Sequence, residues 1–121
     1  VLPTEIALKD AVTQWANVGG LISGLYTDNY NLISNSLVDI IVEPARKPLI
    51  PFFDDIKNSA KKAGALGAGI SGSGPTVFAL CEGDIIAKAV YKSIEESYKN
   101  TGINFEMFIS KVNHKGIKII K

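Results

Sequence analysis

Gly64-Ala65-Leu66-Gly67-Ala68-Gly69-Ile70-Ser71-Gly72-Ser73-Gly74-Pro75-Thr76 is the stretch on which the reading of this chain turns. Five of its thirteen residues are glycine, and the apolar run Val77-Phe78-Ala79-Leu80 follows. Glycine reaches positive φ and lets a backbone come close to a ligand. Successive turns of this kind can point several N–H groups at one anion. The stretch is not a G-x-x-x-x-G-K-[ST] phosphate loop, because no Lys-Ser or Lys-Thr closes it. A dinucleotide fingerprint needs a helix directly after its glycines, and here Pro75 and β-favouring Thr76, Val77 and Phe78 follow. The order is strand, tight turn, strand. Two readings stand: a glycine-rich hairpin where backbones pack closely, and a cradle for substrate or phosphate.

Outward from this hairpin, a chain of 121 residues suits one domain with one core. Hydrophobic residues make up 46% and charged residues 21%, an ordinary globular mix. A formal net charge of +1 gives no electrostatic case for nucleic acid or an anionic membrane. No apolar run approaches the roughly 20 residues of a membrane span. The single Cys81 excludes an internal disulfide and a cysteine metal cluster, and ending an apolar strand it reads as core. These features suit a cytoplasmic protein. The opening Val1-Leu2-Pro3-Thr4 has no initiator Met and runs straight into a helical pattern, which suits a piece of a longer chain.

Thr4 is placed to cap a helix from about Glu5. Ile6, Ala7, Ala11, Val12, Trp15, Val18, Leu21, Ile22 and Leu25 form its stripe, with Trp15 in the core. Gly19, Gly20 and Gly24 weaken the helix but permit close packing. Asp28 or Asn29 caps a second helix that Asn35-Ser36 interrupts. Glu43-Pro44-Ala45-Arg46-Lys47-Pro48 reads as a connector, its prolines preventing a continuous helix. Pro51 suits the first turn of a third helix, with Asp54 and Asp55 at its start, lysines at its end and Gly64 as its stop. Strands are expected at about 66–71 and 76–81. A helix capped by Asp84 runs to about Asn100, and strands follow at Phe105 to Val112 and Ile117 to Ile120. This order predicts an α+β domain, an antiparallel sheet with helices on one face. The one histidine, His114, falls in a turn and has no partner for a metal site. Asp54-Asp55 and Glu95-Glu96 read as a helix start and a solvated helix face.

Two segments together resemble a known family. Asp39-Ile40-Ile41-Val42-Glu43-Pro44-Ala45-Arg46-Lys47-Pro48-Leu49-Ile50-Pro51 resembles the D-x-(I/V)-x-E-P-x-R-x-x-L-I-P segment of homoserine kinases. Gly67 to Thr76 resembles the third motif of the GHMP kinase superfamily in its homoserine-kinase form, and Val1-Leu2-Pro3 resembles the end of an R-x-x-L-P segment. The resemblance implies a ferredoxin-like C-terminal domain, residues 1–121, of a two-domain enzyme. The first strand of that fold would precede Val1. It implies transfer of the ATP γ-phosphoryl group to L-homoserine, giving O-phosphohomoserine on the way to threonine. ATP and Mg2+ would be bound mainly by an N-terminal domain, and this chain alone would be inactive. Homoserine and ATP are then the partners, with no nucleic acid or membrane and with room for a homodimer. The resemblance places Arg46 at the amino-acid carboxylate, which a guanidinium can grip with two hydrogen bonds. Glu43 would orient Arg46 or cap the following turn. Ser71, Gly72, Ser73 and Gly74 would supply N–H groups and close approach where the phosphate arrives. No residue is assigned as acid, base or metal ligand. Another GHMP kinase, or a ferredoxin-like ligand-binding module, are the competing readings.

Overall fold

A computed structural model describes residues 1–120. The glycine stretch forms the expected antiparallel hairpin: β1 (Gly67–Ile70) pairs with β2 (Val77–Leu80), Gly69 opposite Phe78. The Leu66 N–H donates to the Leu80 carbonyl at 2.8 Å and lengthens the ladder. The edge of the Phe78 ring lies 3.3 Å from where a Gly69 Cβ would stand, so the aromatic ring occupies space the glycine leaves.

Five α-helices accompany the hairpin among the described residues: α1 (Leu8–Tyr26), α2 (Tyr30–Ser36), α3 (Val42–Arg46), α4 (Phe53–Lys62) and α5 (Gly83–Tyr98). A 3-10 turn, Lys47–Leu49, follows α3. Helices α4 and α5 pack on one face of the hairpin, through Ala60 of α4, Ala65, Ala68 of β1 and Val90 of α5. The α+β class with helices on one face of an antiparallel sheet therefore holds. Small side chains at this contact bring the helices close. The α4–α5 seam also carries a Ser59–Ser97 hydroxyl pair at 2.7 Å. Cys81 lies half-buried against this core, and burial raises its thiol pKa above the ordinary value.

Several boundaries differ from the sequence reading. Helix α1 starts at Leu8, after Ala7 and without a side-chain cap, so Thr4 does not cap it. The later start places Asp10 in the first turn, where a negative charge meets the helix dipole favourably. Asn29 caps α2, its side chain accepting from the Leu32 N–H at 3.0 Å. Pro51 lies before α4 rather than within its first turn. Left-handed Phe52 (φ 59°) and a Phe53 N–H to Ile50 carbonyl bond form that entry instead. Asp84 lies in the first turn of α5 and is not its cap.

The expected strands at 105–112 and 117–120 do not form. Alternation favours extended backbone, but a strand also needs a neighbouring ladder, and no described backbone group pairs with residues 103–120. Phe105 instead rests on Tyr98, ring centres 4.9 Å apart. Trp15 is likewise outside the core, at 65% exposure. Helix α1 meets α2 through its small residues: a Cβ on Gly20 would meet Ser36, and one on Gly24 would lie 2.8 Å from Ile33 Cγ1. Gly19 has nothing within 4 Å and serves no such contact. The large residues of α1 are left on the other side.

Candidate functional site

The connector before α4 is helical in two short pieces. Pro44 is the third residue of α3, where its missing N–H costs no helical bond. The start of α3 is capped by Asp39. Its carboxylate accepts from the N–H groups of Ile41 at 2.9 Å, Val42 at 2.8 Å and Glu43 at 3.2 Å. This cap was legible as an Asp just ahead of Glu-Pro, an arrangement that satisfies orphan N–H groups, but the sequence reading gave Asp39 no role. Helix α1 steadies the approach to this turn. Gln14 Oε1 accepts from the Ile40 N–H at 3.1 Å, and Asn17 Nδ2 donates to the Val38 carbonyl at 3.1 Å.

Glu43 neither caps the turn nor touches the Arg46 guanidinium among the described residues. Its carboxylate pairs with Lys57 Nζ of α4, and both side chains are largely buried, 13% and 20% exposed. Lys47 makes a second bridge to α4, reaching Asp54 at 3.0 Å, in the open.

Arg46 projects from the end of α3 to the glycine loop. Its Nη1 donates to the Ser73 carbonyl at 2.7 Å, joining positions 27 residues apart. Its Nε is buried and has no partner among the described residues. An unmatched buried donor costs about 1–3 kcal/mol, more when charged, so the guanidinium is left able to gain from an acceptor.

The loop between β1 and β2 is closed from within. The Ser71 N–H donates to the Thr76 carbonyl at 2.8 Å, and the Gly74 N–H to the Ser71 carbonyl at 3.1 Å. Of the four predicted residues, Gly72 and Ser73 are therefore the two with uncommitted N–H groups among the described residues. Both are exposed. Gly72 has φ +61° and open space around it, whereas a Cβ at Gly74 (φ +77°) would crowd Ile50 at 3.1 Å. The Gly74–Pro75 peptide is cis. A neighbouring recess of about 150 Å³ lies between α1, the α2–α3 connector and β1, lined by Gln14, Asn17, Asp39, Glu43, Gly69 and Phe78 among others.

The structure thus brings Arg46 and residues 71–74 to one place. It keeps Asp54, Glu95, Glu96 and His114 out of any metal-binding group: no cluster of three potential ligands occurs among the described residues. Nor is any described helix long and apolar enough to cross a membrane.

Residues 20–100 match the family described as GHMP kinases C terminal. The chain belongs to this family. It is 43% identical over 122 residues to a homoserine kinase of Chlorobium phaeovibrioides, covering 99% of this chain and 38% of that protein. It is 40% identical over 112 residues to a homoserine kinase of Pyrococcus furiosus, covering 93% of this chain and 37% of that one. Among solved structures it resembles the homoserine kinase of Cytophaga hutchinsonii with a TM-score of 0.92 and 46% identity, over 96% of this chain and 37% of the other. As a member of the GHMP kinase C-terminal family, the chain spans a little over a third of these relatives' length.

Proposed function

We propose that this chain is the single, substrate-side C-terminal domain of a two-domain homoserine kinase. The whole enzyme moves the γ-phosphoryl group of ATP to the hydroxyl of L-homoserine, giving O-phospho-L-homoserine on the way to threonine. The observation that carries this reading is the bond from Arg46 Nη1 to the Ser73 carbonyl, which unites the two motif segments in one site.

In this reading Arg46 receives the amino acid's carboxylate and the exposed loop tip limits where the phosphate end can lie. Transfer of a phosphoryl group depends mainly on positioning and charge stabilisation, so a loop without titratable groups can contribute. The N–H groups of Gly72 and Ser73 are its available donors. On this reading magnesium is held mainly by the rest of the enzyme, together with the nucleotide phosphates. The nucleotide-binding groups belong, on this reading, to the rest of the enzyme. A free thiol at Cys81 suits a reducing cytoplasm.

The test is Arg46→Ala in the full-length enzyme. Loss of a charge-assisted grip on a carboxylate costs about 2–5 kcal/mol, so the Michaelis constant for homoserine should rise by about 30-fold or more. The constant for ATP should stay near its starting value. An unchanged homoserine constant would remove Arg46 from the site.

A further inference from the structure

The turn that carries Arg46 is tied to α4 on both sides of that residue. Three residues before it, Glu43 pairs with Lys57. One residue after it, Lys47 pairs with Asp54. The two ties are unequal. Lys47 and Asp54 are 41% and 65% exposed, and an exposed pair of this kind contributes little. Lys57 and Glu43 are largely buried, where loss of one partner leaves the other charge poorly solvated. On its far side Glu43 faces β1, its Oε2 lying 3.7 Å from where a Cβ on Gly69 would stand. Lys57 lies 5.9 Å from the Phe53 ring centre, and Phe53 is buried in α4. The carboxylate thus lies between a helix and a strand, and Glu43 and Arg46 belong to the same five-residue helix, α3.

We propose that Lys57 is a positioning residue: by holding Glu43 it fixes the α3 turn, and through that turn the reach of Arg46 toward the carboxylate of the acceptor. Lys57 itself does not touch substrate. This inference rests on the homoserine-kinase reading. A displacement of about 1 Å from a remote change can cost on the order of a hundredfold in rate, so a small shift of α3 is enough to matter.

The experiment uses five variants of the full-length enzyme, with initial rates measured against homoserine and ATP separately and thermal melting as a check on folding. Lys57→Met should raise the homoserine Michaelis constant about tenfold and leave that for ATP within about twofold. Lys57→Arg should recover most of the loss. If Lys57→Met fails to melt cooperatively, Glu43→Gln combined with Lys57→Gln removes both charges, strands neither, and should give the same selective rise. The decisive arm is Lys57→Met placed in the Arg46→Ala background, where it should add nothing to the homoserine constant. Additive effects there, or equal rises for both substrates, would overturn the positioning role alone. An unaltered homoserine constant in Arg46→Ala itself would overturn the carboxylate assignment and this inference with it.

Discussion

Helices α4 and α1 treat their apolar residues in opposite ways. In α4, Phe53, Ile56 and Ala60 are 2%, 5% and 0% exposed, and Ala60 packs with the hairpin and α5. In α1, Val12, Val18 and Ile22 are 50–56% exposed and Trp15 more so. Both helices carry an amphipathic stripe in sequence. Among the described residues, the large side chains of the α4 stripe are covered and those of the α1 stripe are mostly not. Periodicity reports that a helix has an apolar face; it does not report what that face meets. The contact of α1 with α2 runs instead through Gly20 and Gly24, which the stripe does not include.

That contrast can be broken at two glycines of α1. Gly24→Ala would set a Cβ 2.8 Å from Ile33 Cγ1 and 3.0 Å from its backbone nitrogen. Overpacking of this kind costs about 1–3 kcal/mol, so chemical unfolding of this chain should show a lower midpoint. Gly19→Ala meets nothing within 4 Å and should raise that midpoint, by up to about 1 kcal/mol of helix propensity. Equal responses at the two sites would mean that α1 does not pack on α2 as described. Trp15→Ser should change stability least, by under about 0.5 kcal/mol, as exposed substitutions do. A large loss would show that the α1 stripe is already covered in solution.

The packed half can be probed through Tyr98. Its hydroxyl donates to the Pro51 carbonyl at 2.9 Å, and its ring sits edge-on to Phe52. Burial raises its pKa above the ordinary 10.0. A raised folded-state pKa means that the folded chain keeps its proton longer than the unfolded chain. The resulting stabilisation is complete below the unfolded value and is lost as pH climbs through the folded one. Melting temperature should therefore fall above about pH 10, and Tyr98→Phe should make that fall shallower. An equally steep alkaline fall in the variant would remove Tyr98 as a contributor.

Much of this was legible from local chemistry. The hairpin followed from glycine and proline placed between β-favouring residues. The charges of α4 and its C-terminal stop followed from Asp54 and Asp55, the terminal lysines and Gly64, which has φ +104°, whereas its entry at Phe52 did not. Arg46 and residues 71–74 came from motif resemblance, and their approach to one another is a tertiary fact that no local pattern contains. The missing strands and the exposed Trp15 have a common cause. Alternation and helical periodicity are properties of one segment, whereas a ladder or a core needs a second surface. The Glu43–Lys57 pair escaped for the same reason, since its partners are separated by a turn whose path the prolines alone do not specify.

Gly72 carries a consequence of a different kind. Its φ of +61° in open space makes the restriction there one of chirality and not of volume. An L-alanine would be strained although it touches nothing, whereas a D-alanine introduced by chemical ligation would adopt the same backbone at ease. The mirror-image residue, larger than glycine, is the substitution this loop is shaped to accept.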